Sequence, residues 1–266
     1  MKNLVHQITQ SKGILVLTGA GVSVASGIAP FRGTDPEAVW NKDVTEKGTY
    51  AYFRSDVLGS WSWYLDRFST LFGKQPNLAH HALVDMEEWC AKHHLNFTLL
   101  TQNIDGLHRD AGSQALFEVH GTVRRLRCGT TGCRYGEPHG SIPFPTNLIA
   151  QFREHPKTES IPQCVECGDF LRPHVLWFDE YYTAHSDYRY HELPEQLSLV
   201  DMILCIGTSF SVGITSSILE FAFHNGFPVW VVDPCHPDIP NINWLKGRAE
   251  VLLPELMVRL CASSTQ

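Results

Sequence analysis

Short apolar runs alternate along the chain with longer segments in which apolar residues recur every three or four positions. The run "GILVLTG" at 13–19 is uninterrupted and ends in glycine, a pattern that predicts a strand buried on both faces, turning into a helix at "AGVSVASG". Comparable runs predict strands at 97–102, 115–120, 202–209, 228–233 and 249–253. Between them Leu78, Ala82, Met86, Trp89 and Cys90 share one helical face, and 214–223 and 255–260 repeat that spacing. Buried strands alternating with helices imply an α/β fold, a doubly wound parallel sheet with helices on both faces.

Two regions break the alternation. Residues 27–76 are aromatic-rich and helix-like, and residues 121–175 carry paired cysteines among glycine, proline and polar residues, as a metal-stapled insertion would. A length of 266 residues accommodates one large domain with such insertions. With 43% hydrophobic and 18% charged residues the composition is globular. The net charge of -7 argues against nucleic-acid binding by phosphate neutralisation and leaves "VRRLR" at 123–127 as the one local basic patch. No apolar segment approaches the roughly 20 residues that cross a bilayer, and the N-terminal residues do not read as a signal peptide, so a cytoplasmic protein without membrane contact is expected.

Candidate chemistry gathers at three places. Cys128 and Cys133 enclose four residues and Cys164 and Cys167 enclose two, a spacing that can set four thiolates round one structural zinc; a redox pair at Cys164 and Cys167 is the alternative. In "LTGAGVSVASGIAPFRG" the glycines Gly19 and Gly21 follow a strand, as in loops that let a backbone approach a pyrophosphate at a helix start. A tight structural turn is the other reading, and Val24 stands where a dehydrogenase would prefer Gly or Ala. Beyond the predicted strand ends lie Gln102, Asn103 and Asp105, then His120, then Gly207, Thr208 and Ser209, so several strands offer polar groups to one crevice.

The ordered set "GAGVSVASGIAPFRG", "TQNIDGLH", "EVHG", the two cysteine pairs, "VLWFDE" and "GTS" resembles the sirtuins over nearly the whole chain. The resemblance implies a Rossmann-like domain with a small zinc module at 121–175, a helical insertion at 27–76, and NAD consumed as a co-substrate. It implies that the acyl oxygen of an acyl-lysine attacks C1′ of the nicotinamide ribose as nicotinamide leaves, with His120 as general base, a role suited to an unperturbed pKa near 6.5. Asn103 and Asp105 would organise the ribose and carboxamide, and Phe31 would shield the reacting carbon. Gly19, Ala20, Gly21, Ser23, Arg32, Gln102, Ile104, Gly207, Thr208, Ser209, Asp233 and Ala249 would hold the dinucleotide; Asp233 stands where the family commonly has asparagine. Val175, Trp177 and Phe178, in a strand-like run, would meet the substrate backbone.

One branch of the family is similar in a Tyr-x-x-Arg pair that recognises succinyl, malonyl or glutaryl groups. Tyr64 and Arg67, within "SWSWYLDR", match that spacing, and on a helix they share a face. Arg67 would bind the acyl carboxylate with help from the Tyr64 hydroxyl, because a buried guanidinium left without a carboxylate is costly; plain core packing of Tyr64 is the alternative. The function implied is an NAD-dependent deacylase releasing nicotinamide and O-acyl-ADP-ribose. An ADP-ribosyltransferase or NAD hydrolase on the same site, or a binding module without turnover, are the competing readings.

Overall fold

The computed structural model describes residues 1–29, 42–235 and 238–263. Its strands are β1 (Gly13–Thr18), β2 (Asn96–Thr101), β3 (Leu116–Glu118), β4 (Gly121–Cys128), β5 (Ile142–Pro143), β6 (Leu171–Val175), β7 (Met202–Ile206), β8 (Val229–Asp233) and β9 (Asn243–Lys246). Six of them form one parallel sheet in the order β3-β2-β1-β7-β8-β9. The chain builds outward from β1 to β3 and then restarts at β7 on the other side of β1. That reversal opens a crevice beyond the carboxyl ends of β1, β2 and β7.

The apolar runs are uninterrupted because both sheet faces are covered. Ile14 and Val16 join Leu99, Leu204 and the helices Leu78–Lys92 and Ala249–Ser263 in one core, whereas Leu15 and Leu17 join Leu100, Ile203, Cys205 and Ile218 of helix Gly213–His224 in the opposite one. The segment 249–253, expected as a strand, is the start of a helix: Ala249, Leu253, Leu256, Met257 and Leu260 are its buried stripe. The last strand is β9 instead, and only its half-buried Trp244 and Leu245 carry an apolar signal.

A second sheet, β5-β4-β6, is antiparallel and three-stranded. Helices Tyr50–Ser55 and Val57–Phe68 pack on it, so that Phe53, Trp61, Tyr64 and Leu65 share a third core with Val123, Leu126, Leu171 and Val175. Asp56 caps the second of these helices, its carboxylate accepting the Gly59 N–H at 2.8 Å; such a cap is worth about 1 kcal/mol over alanine.

Two expectations change. "VRRLR" is no exposed basic patch: Arg127 is buried between Tyr188, Glu180 and Glu137, Arg125 donates to Ser141, and Arg124 pairs with Asp110. The strand expected to run through "VLWFDE" ends at Val175, after which Trp177 and Glu180 close a turn through the Glu180 carboxylate and the Trp177 N–H, 2.8 Å. Among the described residues no helix is long and apolar enough to cross a membrane.

Candidate active site

The crevice is lined by a connected polar network. The Thr18 hydroxyl at the end of β1 donates to that of Thr101 at the end of β2, 2.8 Å, and lies 3.0 Å from His108 Nε2. Ser23 donates to Asp105 Oδ2 at 2.8 Å and accepts from Asn103 Nδ2 at 3.2 Å, and that same amide also donates to the Gly19 carbonyl. The Leu107 N–H holds the other Asp105 oxygen at 2.9 Å. Asn103, Asp105 and Ser23 are all buried. Burial raises the Asp105 carboxyl pKa, an effect the Leu107 and Ser23 hydrogen bonds oppose.

Gly19 and Gly21 are glycine for a reason the sequence did not reveal. A Cβ on Gly21 would come within 2.6 Å of Gly207 Cα, and one on Gly19 within 2.8 Å of the Gly207 carbonyl. Gly207 itself turns at φ +57. The Gly19 and Gly21 amides donate to the Ile206 and Gly207 carbonyls, at 3.0 and 2.8 Å. The two loops therefore interlock, and the segment after β1 is a 3-10 helix, Ala20–Ser26, with Ala20 half-buried at its start.

His120 follows β3. Its Nδ1 lies 2.7 Å from the Gln102 carbonyl, which can only accept, so Nδ1 carries the proton and Nε2 presents its lone pair. The hydroxyl of Tyr182 stands 3.3 Å from that Nε2, with the rings stacked. Gln102 extends the chain to Thr208, 3.2 Å from its amide. Burial lowers the His120 pKa, a shift the Gln102 carbonyl partly offsets, so the ring is not an unperturbed imidazole. Beneath the site the rings of His80 and His108 lie 4.7 Å apart, and burial pushes His80 down to about 4.

The remaining expected residues fall along the same edge or beside it. Ser209 is exposed after Thr208; Asp233 ends β8, half-buried, and accepts the Cys235 N–H at 2.8 Å. Ala249 is buried at the head of the last helix. Ile104 packs against the third core, and its carbonyl accepts the Val123 N–H. Phe31 and Arg32 lie outside the described residues.

Trp61, Tyr64 and Leu65 form the buried face of helix Val57–Phe68. Tyr64 is 1% exposed, yet among the described residues its hydroxyl has no hydrogen-bond partner. Plain core packing leaves that orphan unexplained, since an unmet buried hydroxyl costs about 1–3 kcal/mol. Arg67 does not await a carboxylate: its guanidinium pairs with Asp43 at 2.8 Å and lies over the Trp63 ring, 5.3 Å from the centroid. Val175 and Trp177 are buried, and Phe178 is 52% exposed, its amide donating to the Gly48 carbonyl. The sequence reading missed Asp43, Tyr182, Thr18, His80 and His108; of these only Thr18 and His108 sat inside recognised motifs, and the two partners are 90 residues apart.

The four cysteines converge. Their sulfurs all lie within 4.8 Å of one another, with Cys128 to Cys167 at 3.4 Å and Cys133 to Cys164 at 3.6 Å. Those separations are too long for disulfides and close to the roughly 3.8 Å between sulfurs set tetrahedrally round a zinc 2.3 Å away. The donor set thus fits zinc, and all four sulfurs being cysteine leaves no open coordination position.

A parallel Rossmann-like sheet with interlocked glycine loops, joined to a small cysteine-clustered antiparallel sheet, defines the class. The model of the Sir2 family matches residues 19–213. Similar curated proteins include an NAD-dependent protein deacylase of Leptospira interrogans, 33% identical over 92% of this chain and 91% of its own length. Another is named NAD-dependent protein deacylase in Thermus thermophilus, 34% identical over 86% of this chain and 82% of its own. Among solved structures, a Sir2 homologue in complex with NAD superposes with a TM-score of 0.80 at 30% identity, covering 99% of this chain and 94% of that one. The chain belongs to the Sir2 family.

Proposed function

We propose that this chain is an NAD-dependent protein-lysine deacylase that favours acidic acyl groups. The observation that carries the reading is His120, held by Gln102 with its Nε2 lone pair available, on the same edge as the buried Asn103–Ser23–Asp105 network. NAD as co-substrate supplies an electrophilic ribose carbon. The chain orients that ribose with Asn103 and Asp105, holds the adenosine side with Thr208, Ser209 and Asp233, and takes a ribose hydroxyl proton onto His120 Nε2. The proton displaces the Tyr182 hydroxyl contact, and the Gln102 carbonyl stabilises the imidazolium through Nδ1–H. Zinc in the four thiolates would hold the antiparallel sheet and take no part in the chemistry.

The acyl preference rests on Tyr64 and Arg67. A ligand carboxylate would satisfy the orphan Tyr64 hydroxyl and take the Arg67 guanidinium from Asp43. The Asp43 pair itself is partly exposed, and such a pair contributes only about 0–1 kcal/mol. None of the eight cysteines is in a disulfide, which fits a reducing compartment and makes the cytoplasm the proposed location.

The test is incubation of the protein with NAD and matched succinyl, acetyl and unmodified peptides, with products read by mass spectrometry. Nicotinamide and O-acyl-ADP-ribose formed only with acylated peptide support the deacylase; nicotinamide release indifferent to peptide would instead identify an NAD hydrolase or ADP-ribosyltransferase.

A further inference from the structure

A second cluster of metal-ligating side chains lies outside both the crevice and the cysteines. His174 of β6, His185 and Asp187 bring one ligand atom each within 4.8 Å of the others. Asp187 Oδ2 is 3.3 Å from His174 Nε2 and 3.8 Å from His185 Nδ1. Ligands about 2.0–2.1 Å from one tetrahedral zinc lie about 3.4 Å apart, close to both separations from Asp187, and the two histidine ligand atoms stand within 4.8 Å of each other.

We propose that His174, His185 and Asp187 hold one divalent cation of the zinc class, with water completing its coordination. Three further observations favour a cation over packing alone. His174 is 1% exposed, its Nδ1 has no hydrogen-bond partner among the described residues, and its Nε2 meets Asp187 Oδ2 at 3.3 Å, where a metal would sit between them. His185 Nε2 lies 3.1 Å from the Gly140 carbonyl and must donate to it, which fixes the lone pair on Nδ1, facing Asp187. Metal-bound histidines are oriented by such a carbonyl. Asp187 Oδ2 accepts from the Ser141 hydroxyl at 2.9 Å, and Ser141 in turn accepts from Arg125 Nε at 2.7 Å. The N–H of Asp187 donates to His185 Nδ1 at 3.1 Å and would be displaced by the ion.

Charge does not oppose the site, because the Arg127 guanidinium behind it is matched by Glu137 and Glu180, each 2.9 Å away. The Asp187 side chain is 43% exposed and offers the way in. A bound ion would tie β6 to the 140–141 turn and to the segment that also carries Tyr182 to His120.

The full chain is loaded with excess Zn2+, freed of loosely held ion by gel filtration, and its zinc per chain measured by plasma mass spectrometry. A parallel loading with Co2+ follows the thiolate-to-cobalt band, which reports the four cysteines alone. The expected result is two equivalents in the unaltered protein and one in Asp187→Asn, with the thiolate band intact; His174→Gln should match it. Because Asp187 is half exposed, its amide variant keeps the fold even where the buried histidine variant does not. Saturation of the unaltered protein at one equivalent overturns the proposal, leaving a histidine–aspartate ion pair. A second equivalent retained in Asp187→Asn overturns it as well.

Discussion

At the residue scale, the most exacting position is His120. Its tautomer follows from one carbonyl, and its lowered pKa keeps the imidazole neutral at physiological pH, ready to accept a proton. Replacing it by alanine should lower deacylation by about 10²–10⁴-fold, the usual contribution of a positioned base, while zinc per chain stays unchanged; retained turnover would remove it from that role. Tyr64 and Arg67 make a sharper pair of tests because Asp43 competes for the guanidinium. In Arg67→Met, kcat/KM for a succinyl peptide should fall at least tenfold more than for an acetyl peptide. Asp43→Asn should lower KM for the succinyl peptide several-fold with little change in kcat. An equal loss on both acyl peptides in Arg67→Met would return Tyr64 to packing, whatever Asp43→Asn does.

At the scale of elements, the five two-sided strands, the helices and the cysteine quartet were legible because each is a local pattern of apolar spacing or ligand pairs. The helix at 249 was not, since "AEVLL" is too short and too apolar to show a period and only the residues after it establish the 3.6-residue spacing, across Pro254. Nor was the Arg67–Asp43 pair, which joins separate helices, or the partner of His120, which sits 62 residues on in a tyrosine-rich stretch without periodicity. The purpose of Gly21 also lay beyond the sequence, because Gly207 is the residue it meets. Gly21→Ala should therefore destabilise by about 1–3 kcal/mol through overpacking, visible as a lowered Tm without NAD present; a Tm unchanged from the parent would mean the two loops part easily.

On the scale of the whole molecule, stability should depend on pH through the histidines buried under the crevice. His80 is held down to about 4 and His108 well below its ordinary value, both chiefly by burial. Below about pH 6.5 the unfolded chain takes up protons that the folded one refuses, so stability falls with pH through the window from 6.5 to about 4. Each group contributes on the order of 1.4 kcal/mol per pH unit there. Urea midpoints measured from pH 7 to 4.5 should fall accordingly, and His80→Gln should flatten the slope; an identical slope in the variant would discount that residue. Zinc has a separate reach. Stripping it should open 121–175 to proteolysis while β1, β2 and β7 keep their amide-exchange protection, because the antiparallel sheet and the parallel sheet have distinct cores. Uniform loss of protection would instead make the two sheets one cooperative unit.

The interlock of Gly19, Gly21 and Gly207 bears on how such chains are recognised. Each of these positions is closed to a side chain by the backbone of the other loop, whether or not a dinucleotide ever arrives. A descendant of this chain could lose His120, cease turnover altogether and still be obliged to keep all three glycines in order to fold. The glycine signature is thus a record of architecture, and it would outlast the loss of the base proposed at His120.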